Sequence, residues 1–365
     1  MNFSLDTGSN IPAYMQLYEK LVKDIVEGVY SFGKKLPSKR TIAVDAGLSL
    51  ITVEHAIDLL CEEGYIDARQ RSGYFVIYRS GDFLGNADHP AASPPIKEDI
   101  EYKLPDETRT VSYTLMAKTM RRVIQNYGEK ILVKSPNHGC GELRSEICLY
   151  LARSRGIKVE HSQIIIGSGA EYLYGLVVQL LGTEEYYAVE DPCYEKIVSV
   201  YQAMGARLEK LKLSREGISS KELSSSRARF LHVTPFHSYP GGITAGISKK
   251  HEYLRWAEDR DGILIEDNYD SELTISSKPE EPLYAMADKA KVIYINTFSK
   301  TVAPSMRIGY MILPECLQDE FDKKLGFYSC TVPIFEQLVL AELIRNGDFE
   351  RHINKVRRIR RKQER

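Results

Sequence analysis

Apolar positions fall at helical spacing from Pro12 onward: Tyr14, Leu17, Leu21, Ile25 and Val29 share one face, with Glu19, Lys20, Lys23 and Asp24 on the other. The pattern predicts a helix that ends between Gly28 and Gly33. Ser38, following Pro37, can cap a short helix reaching Ala46; Gly47 makes a turn, and Ser49 can cap a second helix over 51–62, stopped by Gly64. Two short helices across a glycine turn form a helix-turn-helix, whose second helix enters the DNA major groove. Residues 65–78 then read as two strands around a basic tip carrying Arg69, Arg71 and Gly73, a winged hairpin.

From 79 to 110 the hydrophobic period disappears, and Pro90, Pro94 and Pro95 among small residues predict an extended tether. Beyond it, strand-like and helix-like stretches alternate. Strands are expected over 163–167, 186–190, 229–233, 262–266, 292–295 and 310–313. Helices are expected over 116–127, 142–155, 170–181, 194–204, 249–260 and 349–365. Such alternation means an α/β fold: a mostly parallel sheet with helices on both faces and a ligand site outside the carboxyl ends of the strands. The predicted domains are 1–78, a winged helix-turn-helix; 79–110, a linker; and 111–365, the α/β domain.

Composition narrows the classes. With 365 residues there is room for two domains, and Lys+Arg of 49 against Asp+Glu of 50 leaves the net charge near zero. Nucleic-acid binding therefore needs a local patch, which Lys34, Lys35, Lys39, Arg40, Arg69 and Arg71 can supply. The six cysteines are scattered with no CxxC pair, which argues against a zinc site or a disulfide framework and suits a reducing cytosol. No signal pattern opens the chain and no apolar run approaches the ~20 residues of a membrane span, so a cytoplasmic protein is expected.

The candidate chemistry lies at strand ends. Gly167-Ser168-Gly169-Ala170 can offer backbone amides and a helix dipole to an anion. Tyr194 follows a strand and could stack on a planar ring, although aromatics more often fill a core. Residues 234–242 form a loop with His237 and Tyr239. Asp267 ends a strand, with Tyr269 two residues on; a buried aspartate can hold a ring nitrogen protonated. No histidine lies within metal-ligand spacing of this acidic cluster, so no metal is expected. Lys300 follows Thr297 and Ser299 and precedes Arg307. Alone, a loop lysine is most often a solvated charge. Among hydroxyls and near an arginine, it suits an imine to an anionic aldehyde cofactor.

Leu36-Pro-Ser-Lys-Arg40, Ser49-x-x-Thr52-Val53, Leu60-x-x-Glu63-Gly64-Tyr65-Ile66 and Gly73-Tyr74-Phe75-Val76 resemble the GntR family of winged-helix bacterial repressors. The resemblance implies contacts to double-stranded DNA from Ser38, Lys39, Arg40, Ser49, Thr52, Arg69, Arg71 and Gly73. It has one departure: where the family often carries a basic or polar residue after the cap serine, this chain has Leu50 and Ile51, with Glu54 beyond. Leu50 could touch a thymine methyl. From residue 111 onward, the strand-end motifs together with His138-Gly-Cys-Gly-x-Leu143-Arg144 resemble fold-type I pyridoxal-phosphate enzymes of the aspartate aminotransferase superfamily. The two in order, with a linker between, resemble the MocR/GabR group of GntR-type regulators.

That resemblance implies pyridoxal 5'-phosphate as cofactor, with Lys300 carrying the internal aldimine. Asp267 would pair with the pyridinium nitrogen, Tyr269 with the phenolic oxygen, and Tyr194 would stack on the ring. Arg307, Thr297, Ser299 and the amides of Gly169 and Ala170 would hold the phosphate. His237 or Tyr239 would lie near the ring oxygen, and Lys196 is a candidate for a substrate carboxylate. The resemblance also implies a homodimer, and a further C-terminal subdomain that this chain, ending at Arg365 within a basic helix, lacks. The expected function is a regulator that senses an amine, an amino acid or the cofactor through the aldimine. The alternatives are an aminotransferase with an accessory DNA-binding module, and a cofactor-free relic of the fold.

Overall fold

A computed structural model describes residues 11–70, 72–79, 110–274 and 281–363. The chain divides into two compact units, Met1–Glu101 and Tyr102–Arg365. Arg71 and residues 80–109 of the expected tether lie outside the described residues.

The first unit holds α1 (Ala13–Val26), α2 (Lys39–Ala46), α3 (Leu50–Glu62) and a hairpin of β1 (Ile66–Arg69) and β2 (Gly73–Val76). The Ser38 hydroxyl accepts from the Thr41 amide at 3.1 Å and that of Ser49 from the Thr52 amide at 3.2 Å, so each serine satisfies a donor the helix start leaves open. Gly47, at φ 66, ends α2 in the left-handed region that a side chain would resist. Leu17, Leu21 and Ile25 of α1 pack on Ile42, Val53, Ile57, Leu60, Ile66 and Val76. The fifth apolar position of the first helical stripe does not join them: α1 stops at Val26, Gly28 turns the chain at φ 81, and Val29 is exposed.

The second unit runs α4 (Tyr113–Tyr127), α5 (Gly141–Arg155), β3 (Ile164–Gly167), α6 (Ala170–Leu181), β4 (Tyr186–Asp191), α7 (Glu195–Ala203), β5 (Arg207–Ser214), β6 (Gly217–Ile218), α8 (Ser220–Ser225), β7 (Phe230–Val233), α9 (Ile247–Asp259), β8 (Ile263–Asp267), α10 (Leu283–Met286), β9 (Lys291–Thr297), β10 (Gly309–Ile312), α11 (Glu315–Leu325), α12 (Ile334–Arg345) and α13 (Asp348–Gln363). Its eight-stranded sheet has the order β3-β10-β9-β8-β7-β4-β5-β6. The central pairs β9–β8, β8–β7, β7–β4 and β4–β5 are parallel; β10 is antiparallel to both β9 and β3, and β6 folds back on β5. Two antiparallel steps return β3 to the direction of β9. The carboxyl ends of β3, β4, β8 and β9 therefore share one edge.

Alternate residues of each strand face opposite layers. Ile293 and Ile295 of β9 join the cluster under α6, α7 and α11, whereas Tyr294 joins the one under α5, α12 and α13. A sheet covered on both faces reads as a continuous apolar run, as β9 does. The expected α/β fold with a mostly parallel sheet is what forms. Elements the sequence pattern did not predict are β5, β6, α8, α10, α11 and α12. Among the described residues, no helix is long and apolar enough to cross a membrane.

Candidate functional site

Four strand ends and one helix start meet around a cavity of about 350 Å³, lined by Ala170, Tyr194, Asp267, Tyr269, Lys300 and Arg307 among others. β8 delivers Asp267 as its last residue, and β9 delivers Thr297 as its own. The turn after β9 carries Ser299, Lys300 and Arg307 back to β10. Gly169 precedes the first residue of α6 at φ +97, and a Cβ there would meet Arg307 Nη2 at 3.1 Å. Glycine thus lets the guanidinium lie against the helix start, where amides and dipole favour an anion.

The carboxylate of Asp267 is buried. Its Oδ1 accepts from the Tyr269 amide at 3.2 Å and its Oδ2 from the Tyr174 hydroxyl. His232 Nε2, which has no hydrogen-bond partner among the described residues, faces the same Oδ2 at 3.8 Å, while its Nδ1 meets the Tyr201 hydroxyl at 2.8 Å. Burial, reinforced by the Asp267 charge, pushes the Tyr174 phenol well above its ordinary value and keeps it a donor. Lys300 Nζ lies 3.9 Å from the centroid of the Tyr269 ring. The Tyr269 hydroxyl donates to the His237 carbonyl at 3.0 Å. Burial and the neighbouring Asp270 charge raise that phenol above its ordinary range. The Thr297 and Ser299 hydroxyls donate to the Ile308 and Met306 carbonyls at 3.2 Å each.

Of the residues singled out from sequence, Tyr194, Ala170, Asp267, Tyr269, Thr297, Ser299, Lys300 and Arg307 line the cavity, and Gly169 adjoins it. His237 is not among the lining residues: its side chain is 61% exposed and its Nδ1 lies 3.4 Å from Asp270 Oδ2. Tyr239 lines the cavity instead, its ring edge-on to Tyr194 at 6.1 Å. Lys196 does not line it either; its ammonium donates to Glu171 Oε1 at 2.5 Å. Glu171 also accepts from Arg307, so one carboxylate is shared between two cations and a net positive charge remains. The Lys196 hydrogen bond is the main reason that the Glu171 carboxyl is held below its ordinary value. Sequence reasoning missed Glu171 and Tyr174. The available signal was position: both follow Gly169 on α6, and Tyr174 is four residues beyond Ala170 on the same helix face. Behind the cavity, Glu190 is fully buried and accepts from the Ser238 hydroxyl at 2.6 Å and the Thr234 amide at 3.3 Å; burial raises its carboxyl to about 7.

These residues fit a phosphorylated pyridine aldehyde. A buried carboxylate such as Asp267 needs a compensating positive charge, which a protonated ring nitrogen would supply. The Gly169–Arg307 approach makes a cradle for the phosphate, Tyr194 offers a ring face, and Lys300 offers a primary amine within the same cavity. Among the described residues, no cluster of His, Cys, Asp and Glu could hold a metal ion.

In the first unit, Ser38, Arg40 and Ser49 are exposed around the helix-turn-helix. Lys39 is engaged within the domain, donating to Glu54 Oε1 at 2.7 Å. The Arg69 guanidinium stacks 4.5 Å over the Phe75 ring. Gly73, at φ +104, would bring a Cβ within 2.8 Å of Lys35 Cε, so the wing strand lies close along that side chain.

Comparison with known proteins bears on both units. Residues 13–76 match the family model for bacterial regulatory proteins of the gntR family, and residues 101–365 match that for aminotransferase class I and II. The chain is 33% identical, over 99% of its own length and 79% of the relative's, to an uncharacterized HTH-type transcriptional regulator, YdeL, of Bacillus subtilis strain 168. It is 28% identical, over 97% of its length and 76% of the relative's, to the probable rhizopine catabolism regulatory protein MocR of Rhizobium meliloti. Among solved structures it resembles the kynurenine aminotransferase of Pyrococcus horikoshii, in complex with PMP, at 26% identity and a TM-score of 0.61. That likeness covers 67% of this chain and 63% of the aminotransferase, so the chain spans less than two thirds of the enzyme's length.

Proposed function

The chain belongs to the gntR-family regulators that carry an aminotransferase class I and II domain, and from that premise we propose that its pyridoxal-phosphate pocket senses an amino compound, or the cofactor itself, and controls DNA binding. The observation that carries this reading is the convergence of Lys300, Asp267, Tyr194 and Arg307 on one cavity in a chain that also bears a winged helix. Bound pyridoxal phosphate supplies an aldehyde carbon that condenses reversibly with primary amines, and a ring that accepts electrons.

This chain's residues do the rest. Asp267 holds a proton at the ring nitrogen, and Tyr174 and the Tyr269 amide fix the orientation of its carboxylate. Arg307 and the amides at the start of α6 hold the phosphate. Tyr194 covers one ring face. Lys300 would hold the cofactor through its primary amine, the group for which an incoming amine would compete. An effector alters DNA affinity only by its different affinity for two arrangements of the chain, so sensing requires that difference. A homodimer reading paired half-sites in the cytoplasm completes the proposal.

The test is spectroscopic. Wild-type protein mixed with pyridoxal phosphate develops an absorbance band near the visible edge that Lys300→Ala lacks. Borohydride reduction then fixes the pyridoxyl mass to the peptide containing Lys300. No band in the wild type, or an equal band in the variant, would contradict the assignment. The intact set of Lys300, Asp267 and Tyr269 also suits an aminotransferase; repeated turnover of an amino acid with an oxo-acid acceptor would support that second reading.

A further inference from the structure

Leu50 and Ile51 open α3, the second helix of the helix-turn-helix, and are 47% and 68% exposed. Single exposed aliphatics are ordinary on any surface. An adjacent pair at the end of a recognition helix that meets base edges is a different matter. The inward face of α3 is already filled by Val53, Ala56, Ile57 and Leu60, so the pair has no place in the unit's own core.

Further along the exposed side of α3 lie Glu54, His55 and Asp58, which the Lys39 ammonium and the Tyr14 ring engage in part. Glu54 Oε1 accepts from Lys39 at 2.7 Å, and Asp58 Oδ1 lies 4.0 Å from the same ammonium. In the first turn of α3, Val53 is buried and Thr52 is half-buried with its hydroxyl 2.8 Å from that of Ser49, so Leu50 and Ile51 present the exposed side chains there. In the major groove, the C5-methyl of thymine is the one apolar group that a base pair presents. The edges of guanine, adenine and cytosine carry donors and acceptors, and covering them with leucine or isoleucine removes water without replacing its hydrogen bonds. Exposed Arg40, Ser38 and Ser49 nearby are of the kinds that contact phosphate and fix register without reading sequence.

We propose that Leu50 and Ile51 determine operator specificity by packing on thymine methyls, so that each half-site carries thymine opposite the start of α3. The proposal rests on the DNA-binding reading above and adds the base chemistry to it.

A random-sequence duplex pool, selected on the full chain at fixed salt, tests it. Each thymine of the enriched half-site is then replaced by deoxyuridine, which removes only the methyl. The wild-type chain should bind about fourfold more weakly for each contacted methyl removed, the effect of one buried methyl group. In Leu50→Ala and Ile51→Ala, the difference between thymine and deoxyuridine should shrink at one position each. If duplexes are enriched but deoxyuridine binds as well as thymine throughout, the proposal is overturned while the DNA-binding reading stands. If no duplex is retained even at low salt, the DNA-binding reading itself fails and this inference with it. Because the deoxyuridine comparison uses the wild-type chain, it decides the matter even where a variant folds poorly.

Discussion

Glu171 sets the charge balance of the pocket. Its carboxylate holds Lys196, outside the cavity, and Arg307, the lining cation that an incoming phosphate would otherwise meet. Arg307 is 51% exposed, so solvent weakens the pair, and about 1 kcal/mol is the most such a contact is usually worth. Glu171→Gln should therefore bind pyridoxal phosphate roughly fivefold more tightly by fluorescence titration, with pyridoxal, which lacks the phosphate, unaffected. Weaker binding in the variant would mean that Glu171 buttresses Arg307 instead of competing for it. Glu190 gives a second test. Burial raises its carboxyl to about 7, so the native state favours the protonated form. Its contribution to stability is full below the ordinary carboxyl pKa and is lost as pH rises through about 7. Melting temperature should fall between about pH 5 and pH 8, and fall less in Glu190→Gln; equal slopes would rule out the linkage. Lys300, Asp267 and Tyr269 were legible in the sequence because each follows an apolar run at a strand end. Glu171 and Tyr174 were not, since their partners Arg307 and Asp267 lie 136 and 93 positions away and only folding brings them near.

At the level of elements, local chemistry predicted the helix starts well. Ser38 and Ser49 cap α2 and α3 as their positions suggested, and Ser49→Ala should destabilise the first unit by about 1 kcal/mol, read as a lower denaturant midpoint. No change would mean that Thr52 finds another acceptor. β10 offers the opposite case. The Tyr310 hydroxyl is buried without a hydrogen-bond partner among the described residues, so Tyr310→Phe should leave stability unchanged or raise it by about 1 kcal/mol. A loss of that size would reveal an unrecognised partner. The elements that escaped sequence reading did so for physical reasons. β5 mixes charged and apolar residues and buries only Leu211, so it lacks the run that marked β8 and β9. α12 is buried around nearly its whole circumference, Gln337 and Glu342 included, and so shows little of the polar face that reveals an amphipathic helix.

For the whole molecule, a helix-turn-helix pattern and a run of alternating strands and helices, parted by a stretch with no hydrophobic period, announced two units, and their order along the chain carried more information than any single motif. The near-zero net charge gives no hint of DNA binding; that property rests on a small local surface in the first unit. The same separation explains why a pocket built from aminotransferase parts suits a sensor: a catalyst has no physical need of a winged helix. The most direct measurement is fluorescence anisotropy of a labelled duplex from the chain's own upstream region, titrated with protein with and without pyridoxal phosphate, and again after adding an amine effector. The prediction is that cofactor and effector shift the DNA affinity of the wild type and that Lys300→Ala loses both shifts. Identical affinities under every condition, or shifts that survive in Lys300→Ala, would contradict it.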